Sequence, residues 1–214
     1  MKLKDILALT SQIIQDEGFD TNSPTFYIES INRAQRRLAE LLKTIYGRYQ
    51  FSSVDGTQRY ALPSDFLDFQ QANQNSVAYN DGTSDIYPVH ATYDYLVKTA
   101  KDLLTNTGTP RSYWIEENYI GFYPYPDYTG TNNVTMNYIR YAQNLSDKED
   151  VCEFNTKYLE ALSYLSASIV SEKNEQFEDS VFFKRRSNEE LVRVSSNTYR
   201  IEEPRRRTTI SYTG

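Results

Sequence analysis

The chain holds one cysteine, Cys152, and one histidine, His90, among 214 residues, and these two scarcities remove most site chemistry at once. A single cysteine excludes an intramolecular disulfide framework and a cysteine-cluster metal centre. A lone histidine in a Pro-Val-His context leaves little acid–base or metal chemistry, and fits a surface or packing residue better than a catalyst. The eight glycines form no Gly-rich loop, so nucleotide binding has little support, and nucleophile-elbow, HExxH and calcium-loop patterns are also missing. The adjacent carboxylates Glu116-Glu117 and Glu202-Glu203 point in different directions in regular structure and make a poor glycosidase pair. No apolar run is long enough to cross a bilayer, and the Met-Lys-Leu-Lys start leads into an amphipathic stretch. These absences lead us to expect a soluble protein of a reducing compartment, with no membrane contact, catalytic residue, metal or cofactor.

What the chain does have is aromatic surface: 19 tyrosines and 10 phenylalanines stand against one tryptophan and two methionines. Tyrosine suits surfaces that are partly buried and partly wet, as at interfaces, and it also suits ordinary strands. At this length the chain makes one domain, or one domain with a sizeable insertion, and buries roughly 70% of its extended surface without a covalent staple. The net charge of −6 is uneven, because residues 184–207 hold eight basic and four acidic side chains, leaving −10 for the rest. A basic C-terminal arm on an acidic body suggests an interaction tail for nucleic acid, an acidic protein surface or a neighbouring copy.

Helical period recurs at both ends. Leu3, Ile6, Leu7, Thr10, Ile13 and Ile14 predict a helix over residues 2–17 that stops near Gly18, and after Ser23-Pro24 a second is expected over 25–46. Its apolar stripe leaves Arg33, Arg36 and Arg37 outside, with Glu40 as their expected helix-face partner. A third helix over 155–172 would bury Tyr158, Leu159, Leu162, Leu165, Ile169 and Val170. A fourth over 175–194 would bury Phe177, Val181, Phe182, Leu191 and Val192, and beyond Ser195 the period is lost, so an extended tail is expected.

The middle reads differently. Alternating runs flanking Asp55-Gly56 predict a hairpin over 49–63, a weaker hairpin is centred on Asn80-Asp81-Gly82, and a short helix is expected over 92–104. Residues 113–115, 119–123 and 134–141 predict three strands of one stiff sheet. The expected fold is therefore α+β and mainly helical. Residues 1–47 and 142–194 form a bundle with two long helices at each end of the chain, 48–141 form an inserted antiparallel β module, and 195–214 form an extended C-terminal arm.

The order of signals resembles a known family. Two N-terminal helices are followed by Tyr60-Ala61-Leu62-Pro63-Ser64-Asp65-Phe66, then Gly108-Thr109-Pro110 with Tyr113. After these come Ile120-Gly121-Phe122-Tyr123-Pro124-Tyr125-Pro126-Asp127, Tyr138-Ile139-Arg140-Tyr141 and Leu145-Ser146, before a closing helical pair. Over residues 1–194 this resembles the head-to-tail adaptor (connector) proteins of tailed bacteriophages. The resemblance implies a structural virion protein, made in the bacterial host cytoplasm. It would form a homo-oligomeric ring, commonly twelvefold, between the portal protein and a tail or second adaptor protein, with DNA only passing through. It supplies no catalytic residue. It places the docking element, for portal or neighbouring subunit, in the C-terminal arm at Tyr199, Arg200, Ile201, Arg205, Arg206, Arg207, Ile210 and Tyr212. Nucleic-acid binding by that basic arm is the alternative.

Overall fold

The computed structural model describes residues 1–16, 18–69, 76–100, 102–103 and 105–202, with side chains through Ser195. The chain divides into two compact units, residues 1–38 with everything from Ala142 onward, and residues 39–141.

The first unit is helical. Helix α1 (Leu3–Ile14) starts where the Asp5 carboxylate accepts the Lys2 backbone N–H at 2.9 Å, and it ends at Gln15, whose φ of 61° reverses the chain before Gly18 is reached. Pro24 opens α2 (Pro24–Leu42), and the Ser23 hydroxyl accepts the Phe26 N–H at 3.4 Å, as the proline and capping signals predict. Lys43, with φ 50°, ends it short of the expected stop at Gly47. In the second unit, α3 (Tyr93–Thr99) is capped by Thr92. Back in the first, α4 (Leu159–Lys173) packs against both α1 and α5 (Phe177–Glu202). Ala161, Ser163, Ser166, Ala167, Ser168 and Ser171 of α4 are buried with Leu162, Leu165, Ile169 and Val170, so the helix is enclosed around its whole circumference. Small side chains let its neighbours approach closely.

The second unit holds two sheets. Strands β1 (Tyr46–Ser53), β9 (Gly130–Arg140), β4 (Val77–Asn80) and β5 (Asp85–Ile86) lie in that order, and β3 (Phe66–Phe69) also pairs with β9. Strands β2 (Arg59–Ala61), β8 (Tyr119–Tyr123), β7 (Ser112–Glu116) and β6 (Val89–His90) make the other, with β6 parallel to β7. The core between the sheets joins Phe69, Val77, Tyr79, Val134, Met136 and Tyr138 of the first to Tyr113, Ile120 and Phe122 of the second. On the opposite face of β7, Trp114 packs with Leu96 of α3 and Leu103. That packing demands Gly121, where a Cβ would come within 2.3 Å of the Trp114 ring.

Four expectations need correction. The mainly helical bundle with two long helices at each end is overturned, since the described residues form five helices and two sheets of an α+β chain. The β region closes its own aromatic core, which periodicity taken element by element does not show. The hairpin over 49–63 does not form, because β1 pairs with β9 and β2 with β8, in different sheets. Its Asp55-Gly56 turn is tied elsewhere, the Gly56 N–H donating to the Pro126 carbonyl at 2.8 Å and the Asp55 N–H to Thr129 Oγ1 at 2.9 Å. The three strands expected in one sheet are split likewise, β7 and β8 in one and β9 in the other. The extended arm is not found from Ser195, since α5 runs on to Glu202, and residues 203–214 of the expected arm lie outside the described residues. The weaker hairpin forms as β4 and β5, with Gly82 at φ 91°.

Candidate interaction surfaces

Helix α5 carries two rows at helical spacing, and of the residues expected to be buried Leu191 turns inward while the others face out. Phe177, Val181, Phe182 and Val192 are 65%, 69%, 52% and 68% exposed. The row turned inward is Ser180, Phe183, Ser187, Leu191 and Val194, with Ser187 and Val194 fully buried. Rotation of the helix is fixed by the Ser187 hydroxyl, which donates to the Ala161 carbonyl of α4 at 2.7 Å. The row facing α4 sets Ser187 on the Ala161 carbonyl and stacks Phe183 on Tyr164, with ring centroids 6.4 Å apart. The exposed row, Phe177 to Val181 to Val192, runs along one face past Asn188.

Charges flank that row. Glu178 and Asp179 lie in the first turn of α5, and neither has an ion-pair partner among the described residues. Further along, Arg185 and Arg186 share Glu189 at 3.1 and 3.2 Å, and Arg193 reaches Glu160 at 2.9 Å, so part of the basic run is neutralised within the fold.

The same unit carries a groove beside α1. It has a volume of about 470 Å³ and is lined by Lys4, Leu7, Ala8, Ser11, Gln12, Phe19 and Lys148. Phe19, at φ 55°, stands edge-on to Tyr27 with centroids 5.3 Å apart. Asp16 anchors the turn beneath, accepting from the Tyr27 hydroxyl at 2.9 Å and from the N–H groups of Thr21 and Asn22 at 3.1 and 3.2 Å. Burial opposes the charge on Asp16, but those bonds outweigh it and hold the carboxyl below its ordinary range. At the rim, Lys2 and Lys4 both bond to Glu149, at 2.7 and 2.8 Å, which drives the Glu149 pKa down to about 2. Lys4 of the lining is thus paired, whereas Lys148 has no ion-pair partner among the described residues.

The second unit offers a polar groove of about 610 Å³ on the outer face of the first sheet, where Arg48, Gln50, Asn80, Asp85, Tyr87, Tyr128, Asn133, Thr135 and Asn137 are among the lining residues. Its amides are largely engaged with one another. Gln50 donates to Thr135 at 3.0 Å, Asn80 to Asp85 at 2.8 Å and Asn133 to the Asn80 carbonyl at 3.0 Å.

Of the other residues marked in the sequence, His90 lies exposed on the edge strand β6 against Tyr113, and Cys152 is buried, its thiol donating to Gln35 Oε1 at 3.2 Å and pushed up in pKa by that burial. Among the described residues no group of three or more His, Cys, Asp or Glu could hold a metal ion, and no helix is long and apolar enough to cross a membrane. Arg33, Arg36 and Arg37 are exposed on α2, but Glu40 accepts from the Tyr141 hydroxyl at 3.1 Å in place of the expected arginine contact. Tyr199, Arg200 and Ile201 fall in the last turns of α5, where the backbone alone is described. Arg205, Arg206, Arg207, Ile210 and Tyr212 lie outside the described residues. Both the outer row of α5 and the α1 groove escaped the sequence reading. The signal available for α5 was its second small-residue row, Ser180, Ser187 and Val194, whereas the groove had none.

The family model described as SU10 adaptor protein matches residues 1–206. No curated protein matches the chain.

Proposed function

The chain belongs to the SU10 adaptor protein family, a family of phage head-to-tail adaptors, and we propose that it is a structural subunit of a ring that joins the portal to the tail. The observation that carries this reading is the family match across residues 1–206, which takes in both units. A family of adaptors implies a virion component that associates with other head or tail proteins. The finer reading is a closed ring, twelvefold as is common in such connectors, through which DNA passes without being held. A closed ring needs heterologous contacts, and the exposed apolar row of α5 is the kind of surface that such contacts cover. The C-terminal residues Tyr199, Arg200, Ile201, Arg205, Arg206, Arg207, Ile210 and Tyr212 are the proposed docking element for the portal or the neighbouring subunit. Nucleic-acid binding through the basic run gains little from the fold, because Arg185, Arg186 and Arg193 already pair with carboxylates.

The test is mass by light scattering coupled to size exclusion. The purified protein is measured alone and with the portal protein of the same genome, as the full chain and as a chain ending at Val194. A discrete complex of one portal with several copies, lost on truncation, supports the adaptor role and the docking element. A full chain that ignores the portal overturns the adaptor role.

A further inference from the structure

The helical unit carries two surfaces that complement one another and cannot meet within one copy. One is the outward row of α5, apolar at Phe177 and Val181 and acidic beside them at Glu178 and Asp179. The other is the α1 groove, apolar at Leu7, Ala8 and Phe19 and rimmed by lysines. Helix α4 packs against both α1 and α5 and so separates them, and α1 and α5 share no packed face among the described residues.

Resting on the ring reading, we infer that the start of α5 of one copy of this chain docks in the α1 groove of the next. Three observations choose a second copy as the occupant. The row presents large apolar side chains that are more than half exposed, which a lone soluble unit has no reason to keep outward. The charges are opposite in sign, since Glu178 and Asp179 lack ion-pair partners among the described residues on one surface and Lys148 lacks one on the other. Finally, two different patches on one chain, meeting between copies, form a head-to-tail contact, which closes into a ring when the rotation per copy permits. An isologous dimer would instead need one patch that complements itself, and self-linking of Val181→Cys alone would reveal it.

The geometry is tested by cross-linking between copies of the full chain on the portal. Val181→Cys and Ala8→Cys are both at exposed positions, and the native Cys152 is buried. Each single variant alone is expected to give no linked product. A mixture of the two is expected to give a linked dimer, and the double variant a ladder of multimers. Lys148→Glu and Glu178→Lys should each weaken assembly by roughly tenfold, and combining them should restore it. Circular dichroism of the isolated variants controls for folding. Self-linking of either single variant, or no linked product in the mixture while the wild-type complex forms at full mass, overturns this contact and leaves the adaptor reading standing. If the wild type forms no multi-copy complex with the portal, both fall.

Discussion

The two units build their buried centres differently. In the β unit large rings pack between the sheets, Phe51 lying 5.1 Å from Tyr60, Phe69 lying 5.2 Å from Tyr113 edge-on, and Tyr79 and Phe122 wholly buried, while Tyr46, Tyr87, Tyr95 and Tyr119 stand exposed. In the helical unit the central helix is buried through serine and alanine, while Phe177, Phe182 and two valines of its neighbour are left in solvent. Bulky side chains fill space between twisted sheets, whereas helices approach closely only through small ones. The difference teaches that the centre of the β unit is held by interlocking rings and that of the helical unit by close approach around α4, which leaves Phe177 and Phe182 of α5 outside.

If that contrast holds, the largest cost should come from deleting bulk in the β unit. Phe122→Ala removes a fully buried ring from between the sheets and should lower stability by about 3–5 kcal/mol. Chemical denaturation followed by the fluorescence of Trp114 reads this unit directly, since the chain has one tryptophan. In the helical unit the damaging change is the reverse, adding bulk. Ala167→Leu places three more carbons at a wholly buried position of α4 and should cost about 1–3 kcal/mol, seen as an earlier transition in far-UV circular dichroism. A smaller loss, about 1 kcal/mol, is expected from Ser187→Ala, which removes the buried hydroxyl bonded to Ala161 and leaves that carbonyl one partner short. If Ala167→Leu were harmless while Phe122→Ala were severe, close packing around α4 would not be what holds the helical unit.

Much of the local structure was legible where side chains act on their own backbone. Ser23-Pro24 announces α2, and the β4–β5 turn is written in Asn80 and Asp81, whose side-chain oxygens accept the N–H groups of Gly82, Thr83 and Ser84 at 2.8, 2.8 and 2.9 Å. Strand partnership was not legible, because alternation shows that β1 and β2 have an inner face but not which strand lies beside them. Asp55-Gly56 therefore supplied a true turn and a false hairpin. The face of α5 was misread for a related reason. Periodicity weighs each row by its own hydrophobicity, while the choice is made by the surface opposite, and a serine-rich α4 prefers the row holding Ser187. Of the candidate site, the sequence pointed to the basic arm; the α1 groove depends on Phe19 and Lys148 coming together from distant parts of the chain, which no local pattern records.

The smallest effect near neutral pH, and the one that separates the units most cleanly, is titration. In the helical unit the shifted carboxyls are lowered: Glu149 to about 2 by hydrogen bonds from Lys2 and Lys4, and Asp150 by the N–H groups of Ser146 and Asp147. A folded pKa below the unfolded one means that the unfolded chain binds more protons between the two values, so this stability is present above about pH 4.5 and is lost as pH falls towards about 2. In the β unit Tyr113 is raised to about 12 by burial, and Tyr138 to about 12 by burial and then by its bond to Asp65. There the folded state holds the protons, so stability is present below the ordinary tyrosine value of 10.0 and is lost as pH rises through about 12. Tyr27 of the helical unit is raised as well, by burial and then by its bond to Asp16, so both units should loosen in alkali, whereas acid should loosen the helical unit first, with Trp114 fluorescence lagging circular dichroism in the acid titration. Because Glu149 is solvent-exposed, salt should shrink its share, and Glu149→Gln should blunt the acid response without touching the alkaline one. Coincident signals in the acid titration would mean that the two units unfold as one.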